Sequence, residues 1–465
     1  MANIGLIGLG TMGSALALNI ADNGFDIAVH NRTTARIGEF VTEAGPLGDK
    51  IIPAESLEAF IDALASPRLI ILMVPAGPVV DKQIAALELL LAQGDVVVDA
   101  GNANYIDTNR RYAEAEGKPF EFFGLGVSGG EEGARFGPSM MGGGSRAAWD
   151  KLSDVLLAIS AKHTDDTPCA ARLGDAGAGH FVKMVHNGIE YADMQMIAEI
   201  FGILRDGHGW SADRCGELFE QWNKGPLRSY LVEITAEICK AKDTKTGKPI
   251  LDVILDKAGQ KGTGRWTAIE AQHLGVPVAV IEAAVSARNM SARLDIRNEG
   301  EKRFGALTAM DDEADLDALH GAMLAGKVIC YAQGFEMLAE ASDEFGWSLD
   351  LAEVARVWRA GCIIRSDMLD DMASAFEGGA SNLAFADDFA TAIAENHAHL
   401  RAVVAKAIAH GVPVPCLSAG IGWLDQLRQA RSTANLIQGQ RDFFGRHGFA
   451  RRDVEGDDHH GPWAD

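Results

Sequence analysis

The first thirty residues constrain this chain more than any other stretch. Ile4-Gly5-Leu6-Ile7 is a short apolar run of strand character, residues 14–22 carry helical spacing, and Gly8-Leu9-Gly10-Thr11-Met12-Gly13 stands between them. A G-x-G-x-x-G hexapeptide in that setting lets the backbone approach a pyrophosphate and seats it on the amide hydrogens of a helix N-terminus. A second strand over 25–29 leads to Asn31-Arg32-Thr33. An NAD site places an acid near this point for the ribose hydroxyls; here the acid is absent and an Arg follows, which suits a 2′-phosphate. The cradle is therefore expected to bind NADP through Gly8, Leu9, Gly10, Thr11, Met12, Gly13, Asn31, Arg32 and Thr33.

The pattern set by this unit continues. Strand-like runs over 69–74, 95–99 and 120–125 alternate with helical spacing over 79–91 and 107–116. Near-continuous apolar strands alternating with helices predict a parallel sheet covered on both faces, a doubly wound Rossmann-like domain over residues 1–177. After Gly179 strand signals become scarce and 3.6-residue periodicity dominates, over 180–204, 322–345 and 386–410. Residues 178–434 are expected to form a large all-α domain for substrate and dimerisation. From Asn435 the periodicity lapses and Gly, Arg and His increase, so 435–465 reads as an extended C-terminal tail.

Composition narrows the partners. Acids outnumber Lys and Arg by 65 to 42, a net charge of −23. That excess repels nucleic acid and anionic membranes as general partners. No apolar run approaches the roughly 20 residues of a membrane helix, and the N-terminus lacks the basic region of a secretory signal. Six scattered cysteines without a Cys-x-x-Cys pair suit reduced thiols and a cytoplasmic setting, and no zinc site. Against the acidic background two stretches are basic. Residues 257–297 hold six Lys or Arg against three acids, and residues 435–452 hold four Arg against one acid, with His447 in addition. Two positive islands on such a chain point to one small anionic ligand rather than a polymer.

The most informative segment is Lys183-x-x-His186-Asn187-x-x-Glu190-Tyr191. On a helix, positions +3, +4, +7 and +8 fall within an arc of about 140°. That arc normally faces the core. Here it carries an amine, an imidazole, an amide, a carboxylate and a phenol, while Phe181, Val182, Met184, Val185 and Ile189 supply the apolar faces. A lysine and a glutamate two turns apart can bracket a substrate and divide base and acid roles, provided burial and nearby cations lower the lysine's proton affinity. Two small-residue loops, 127–135 and 259–264, leave exposed amides for an anion, the second with a lysine.

These residues resemble the 6-phosphogluconate dehydrogenases. Lys183-Met184-Val185-His186-Asn187-Gly188-Ile189-Glu190-Tyr191 is similar to that family's signature helix, and 127–135, 259–266 and 436–442 match further blocks, so the likeness runs nearly end to end. The resemblance implies NADP-dependent oxidative decarboxylation of 6-phosphogluconate to ribulose 5-phosphate. It implies Lys183 as general base and Glu190 as the acid that protonates C1. It implies substrate contacts from Asn102, Ser128, Gly129, Gly130, His186, Asn187, Tyr191, Lys261, Thr263 and Arg288, and no metal, since a β-keto acid needs only an electron sink. It places Pro75, Ala76, Gly77 and Asn102 beside the cofactor. It also implies a homodimer in which Arg441 and His447 of the tail reach the partner subunit's site to hold the phosphate. Where the family commonly has Lys-Ala-Gly this chain has Pro75-Ala76-Gly77, one positive charge fewer beside the cofactor; Ala100, Ala103 and Gly142 also depart from the family's usual Gly, Ser and Pro. Two other readings fit parts of the pattern. An NADP-linked dehydrogenase of a smaller β-hydroxy acid would not need the basic tail, and a non-catalytic NADP sensor would leave the 183–191 stripe without a purpose.

Overall fold

The computed structural model describes residues 1–463; Ala464 and Asp465, the end of the expected tail, lie outside the described residues. Eight strands form one sheet in the order β3-β2-β1-β4-β5-β6-β7-β8. They are β1 Ile4–Ile7, β2 Ile27–His30, β3 Ile51–Ala54, β4 Leu69–Leu72, β5 Asp95–Asp99, β6 Phe120–Ser128, β7 Ser139–Gly143 and β8 Ala170–Gly174. The central strands are apolar throughout because both faces are covered. Leu16, Ile20, Phe40, Trp149 and Leu152 pack on one side, and Phe60, Val80, Leu87 and Phe122 on the other. The chain runs outward from β1 to β3 and then returns to β4 on the far side of β1. This reversal opens a crevice at the carboxyl ends of β1 and β4, where the Gly8 turn and Pro75 lie.

The sheet is not wholly parallel. β7 runs antiparallel to β6, because the link over 129–138 is shorter than the dozen or so residues that a parallel crossover needs. Strands β3, β7 and β8 also carry no clear sequence signal. β3 is an edge strand containing Pro53, and β7 ends in Gly142 and Gly143, where its register with β8 shifts.

Beyond β8 the molecule is helical. The helix Ala178–Gly202 lies directly on β6, and most of its residues are buried. Glycine permits that approach: a Cβ at Gly126 would stand 2.6 Å from the Cβ of Lys183. The 30-residue helix Leu316–Phe345 crosses it in the core, and the ammonium of Lys327 meets the carboxylate of Asp193 at 2.6 Å, both fully enclosed. The carboxylate of Glu199 accepts the free amides of Cys416 and Leu417 at 2.8 and 3.0 Å, fixing the start of the helix Pro415–Leu427. All six cysteines are buried and unpaired, and no helix among the described residues is long and apolar enough to cross a membrane.

The tail differs from the expectation of an extended segment. Residues Ala434–Gly445 form a helix, and the chain then turns back at Arg446 in the left-handed region. Gly439 and Gly445 lower the helical signal, and twelve residues are too few for the apolar pairs Leu436-Ile437 and Phe443-Phe444 to register as a period. The returning strand of chain is gathered by the buried Asp442 carboxylate, which accepts from Gly448, Gly461 and the Trp463 indole and meets His460 at 2.6 Å. Burial works to raise this carboxyl's pKa, but the hydrogen bonds outweigh it and hold the group well below the usual carboxylate range.

Candidate active site

Lys183 sits at the centre of a closed ring of hydrogen bonds. Its amine donates to Ser128 Oγ at 2.9 Å and to Asn187 Oδ1 at 2.8 Å. The amide oxygen of Asn187 only accepts, so the His186 Nδ1 that lies 3.0 Å away carries hydrogen. His186 Nε2 is then the acceptor for the Ser128 hydroxyl at 3.2 Å. Asn187 Nδ2 donates in turn to Thr263 Oγ1 at 2.8 Å, which fixes which way the amide faces. Every member is placed by a defined element. Ser128 ends β6, the three helical residues occupy one face of Ala178–Gly202, and Thr263 opens the helix Thr263–Leu274. The edge of the Trp358 ring closes the far side of His186.

Lys183 is 7% exposed and His186 fully buried. Burial pushes the Lys183 amine down from the ordinary lysine value, opposed by the charge of Glu190. Burial and the adjacent Lys183 push His186 well below the usual imidazole value, so its ring is neutral. Glu190 is displaced the other way. Burial raises its carboxyl, with Lys183 and Arg288 pulling against the rise. Its Oε2 lies 3.8 Å from His186 Nδ1, next to a neutral ring rather than in an ion pair. A lowered amine and a raised carboxyl on one helix face form a base and an acid whose proton affinities both move toward neutrality.

The remaining candidates line the rim. The Arg288 guanidinium lies 3.5 Å over the Tyr191 ring and donates to the Gly259 carbonyl, tying the 259–264 loop to the helix that carries Lys183. Lys261 and Gly130 are exposed beside them, and Gly129 is half-buried. Asn102 projects from the turn after β5 with its side chain in the open. Arg441 and His447 do not join the site within one chain: Arg441 donates to Gln438 and His447 packs its edge on Phe444, both inside the tail.

The cradle has the geometry its sequence predicts. Gly8 holds φ +107°, and a Cβ there would strike the Met73 carbonyl at 2.3 Å. A Cβ on Gly10 would instead meet nothing within 4 Å, so the approach to the first helical amides is open. No side chain caps the helix Thr11–Asp22, which leaves those amides for an anion. Asn31 supports the turn by accepting from Leu9 N at 3.0 Å, while Arg32 and Thr33 are exposed at its edge, and Pro75, Ala76 and Gly77 face it from β4. A cleft of about 850 Å³ opens here, lined by Gly10, Thr11, Ser14, Arg36 and Glu131 among others. Arg36 was not foreseen. It reaches toward the Leu9 carbonyl, and both its terminal nitrogens are held by Glu43 at 2.8 Å. Sequence reasoning also missed Thr267, which braces Met184 O and Thr263 O, and His180, one turn before Lys183. Extending the 3–4 spacing one turn back from Lys183 reaches His180 directly.

Two family profiles cover most of the chain: the NAD binding domain of 6-phosphogluconate dehydrogenase over residues 3–171, and the 6-phosphogluconate dehydrogenase C-terminal domain over 179–463. This chain belongs to the 6-phosphogluconate dehydrogenase family. A decarboxylating 6-phosphogluconate dehydrogenase of Schizosaccharomyces pombe is 46% identical over 97% of this chain and 92% of its own length. A Plasmodium falciparum 6-phosphogluconate dehydrogenase, described with NADP+ and with 6-phosphogluconate, superposes with a TM-score of 0.95 at 39% identity, covering 99% of this chain and all of the other. Two relatives from Bacillus subtilis, one named NAD(+)-dependent and one NADP(+)-dependent, are 44% and 45% identical over 98% and 97% of this chain, and over 98% and 97% of their own lengths. Overall likeness to this oxidoreductase family therefore does not choose between the two cofactors; local residues must.

Proposed function

We propose that this protein oxidises and decarboxylates 6-phosphogluconate to ribulose 5-phosphate and CO2 with NADP, in the cytoplasm, as a homodimer. The observation that carries the reading is the Lys183 ring. A neutral amine has two hydrogens and one lone pair. Ser128 and Asn187 accept two of the amine's hydrogens, and His186 Nδ1 lies 3.4 Å away, so the amine is held in one place and its orientation is set by its neighbours. A base aimed at a substrate hydroxyl needs that arrangement. Lys183 takes the C3 hydroxyl proton as hydride leaves C3. The bound nicotinamide supplies the hydride acceptor. Lys183, now an ammonium, polarises the new C3 ketone so that the carboxylate can depart as CO2 and an enediol forms. Glu190, whose proton affinity burial raises, delivers a proton to C1 of the product while Lys183 takes back the proton it gave to the enediol oxygen, so that the ketone of ribulose 5-phosphate forms.

The residues present fit NADP. The uncapped amides at the start of the helix Thr11–Asp22 are open to the pyrophosphate, and the exposed Arg32 beside Asn31 and Thr33 supports recognition of a 2′-phosphate. Lys261 and Arg288 supply positive charge for the substrate on this chain, and Arg441 of the partner subunit does so from the tail, with His447 of the partner subunit as a further polar contact. The tail's exposed Leu436, Ile437, Phe443 and Phe444 support that exchange, since they form an apolar surface that one chain leaves uncovered. The test is a spectrophotometric assay of the purified protein with 6-phosphogluconate and either NADP or NAD, with CO2 measured. Reduced cofactor and CO2 should appear in equal amounts, faster with NADP at low cofactor. Absence of turnover at saturating concentrations of both would overturn the reading.

A further inference from the structure

We infer that His180 is a positioning residue for hydride transfer, one that pins the turn carrying Asn102 to the helix carrying Lys183. The inference rests on the reaction proposed above and adds a residue that acts only through its neighbours.

His180 is buried beneath that turn, three residues before Lys183 on the same helix face. Its Nε2 lies 3.1 Å from the Gly101 carbonyl, which can only accept, so Nε2 carries the hydrogen. Nδ1 is then an acceptor, and the Thr108 hydroxyl donates to it at 2.8 Å. Thr108 belongs to the helix Tyr105–Glu114 that follows the turn. One ring thus grips both ends of the segment holding Asn102. Among the described residues, no other hydrogen bond joins residues 101–104 to the Lys183 helix.

The surroundings are shaped around this ring. A Cβ at Gly124 of β6 would lie 2.7 Å from Thr108 Cγ2 and 3.0 Å from His180 Nδ1, so glycine makes the room. On the turn's other side Gly101 N donates to Asp99 Oδ1 at 3.1 Å, and Asp99 Oδ2 accepts from the buried Arg111 at 3.2 Å. Arg111 also donates to the Gly77 carbonyl at 3.0 Å and to Asp81 at 2.7 Å. The turns after β4 and β5 are therefore one rigid plate, and His180 fastens that plate to the base-bearing helix. In the proposed reaction the cofactor rests on the plate and the substrate on the helix. Hydride transfer needs the reacting atoms within about 3–3.5 Å, and a misplacement of ~1 Å costs on the order of 100-fold.

The experiment compares the full-length wild type with His180→Leu, His180→Gln and Thr108→Val. It measures kcat, KM for both ligands, the primary isotope effect with C3-deuterated 6-phosphogluconate, NADPH binding by fluorescence and thermal unfolding. His180→Leu should lower kcat by about 30–100-fold, raise the isotope effect and leave the 6-phosphogluconate KM within about threefold. His180→Gln, which keeps a donor and an acceptor, should recover kcat to within about fivefold of wild type. A normal kcat in His180→Leu would overturn the inference. So would a loss that Gln does not restore and that tracks the fall in unfolding temperature. Should His180→Leu not fold, Thr108→Val decides by the same split between kcat and KM, and an unchanged kcat there overturns it. A wild type inactive on 6-phosphogluconate would overturn the proposed function instead. NADPH affinity would then decide for His180, with weaker binding in His180→Leu (or in Thr108→Val, if His180→Leu does not fold) supporting the role and equal binding refuting it.

Discussion

In the proposed reaction Lys183 serves as base and Glu190 as acid, and one helix face shifts both away from the charges they would hold in water. Burial is the cause at both, and it acts in opposite directions because the charged form is an ammonium in one and a carboxylate in the other. The rate should therefore fall on the acid side as Lys183 gains a proton, and on the alkaline side as Glu190 loses one. Glu190→Gln, which cannot ionise, should flatten the alkaline limb of kcat against pH while the acid limb stays; persistence of both limbs would assign the second to another group. Lys183→Met keeps the side chain's length without its amine. It should retain NADPH binding and lose at least about 1000-fold in kcat, as expected when base and later proton donor vanish together; a rate within tenfold of wild type would remove Lys183 from the mechanism. At the cradle, Arg32 is exposed, whereas Arg36 is committed to Glu43. Arg32→Ala should weaken NADP by about 10-fold or more and NAD little, consistent with loss of 1.5–3 kcal/mol from a charged hydrogen bond. Equal effects on both cofactors would move 2′-phosphate recognition elsewhere.

At the scale of elements, the helix Ala178–Gly202 can carry so many polar residues inward only because its other contacts are strong. β6 receives it on glycines, Leu316–Phe345 crosses it, and the enclosed pair of Asp193 and Lys327 fastens the crossing one turn beyond Glu190. Removing one member of such a pair leaves a buried charge alone. Lys327→Met should cost about 3–5 kcal/mol of stability by denaturant unfolding, and Asp193→Leu combined with Lys327→Met should recover most of it. A Lys327→Met protein as stable as wild type would show that water reaches the pair. The antiparallel join of β6 and β7 serves the same helix. Its Ser128–Ser139 pairing holds the end of β6, where Ser128 accepts from Lys183.

At the scale of the whole molecule, a net charge of −23 coexists with a cationic site because screening confines fields to about 8 Å at physiological salt. Several of the basic residues counted in the two islands are spent locally, Arg297 on Asp256 and Arg451 on Asp453. Lys261, Arg288, Arg441 and His447 are the ones the proposed reaction uses, and they stand on two different surfaces of one chain. Truncation after residue 433 should leave a folded protein with NADP affinity intact, shift the species seen by sedimentation toward monomer, and raise the 6-phosphogluconate KM by at least about 10-fold, as for loss of a charged phosphate contact. An unchanged KM would refute a site completed by the partner's tail.

How much of this was legible in the residues follows the range of the interactions. The Gly8–Gly13 turn, the central strands and the polar face from Lys183 to Tyr191 are local patterns (a glycine spacing, continuous apolar runs and a 3.6-residue period), and each could be read in a dozen residues. β3, with its Pro53, and β7, with its terminal glycines, exist because neighbouring strands complete their hydrogen bonds. The tail helix lacked a long enough period to announce itself. The site divides in the same way. Sequence spacing placed Lys183, His186, Asn187 and Glu190 on one face, but only packing brought Ser128 from β6 and Thr263 from another helix into the ring. Sequence proposed Lys183 and Glu190 as base and acid, since an amine and a carboxylate carry that chemistry anywhere. The tertiary structure decided which way their proton affinities shift and which groups hold the Lys183 amine, because desolvation and hydrogen-bond partners arise only when distant segments close around the same atoms.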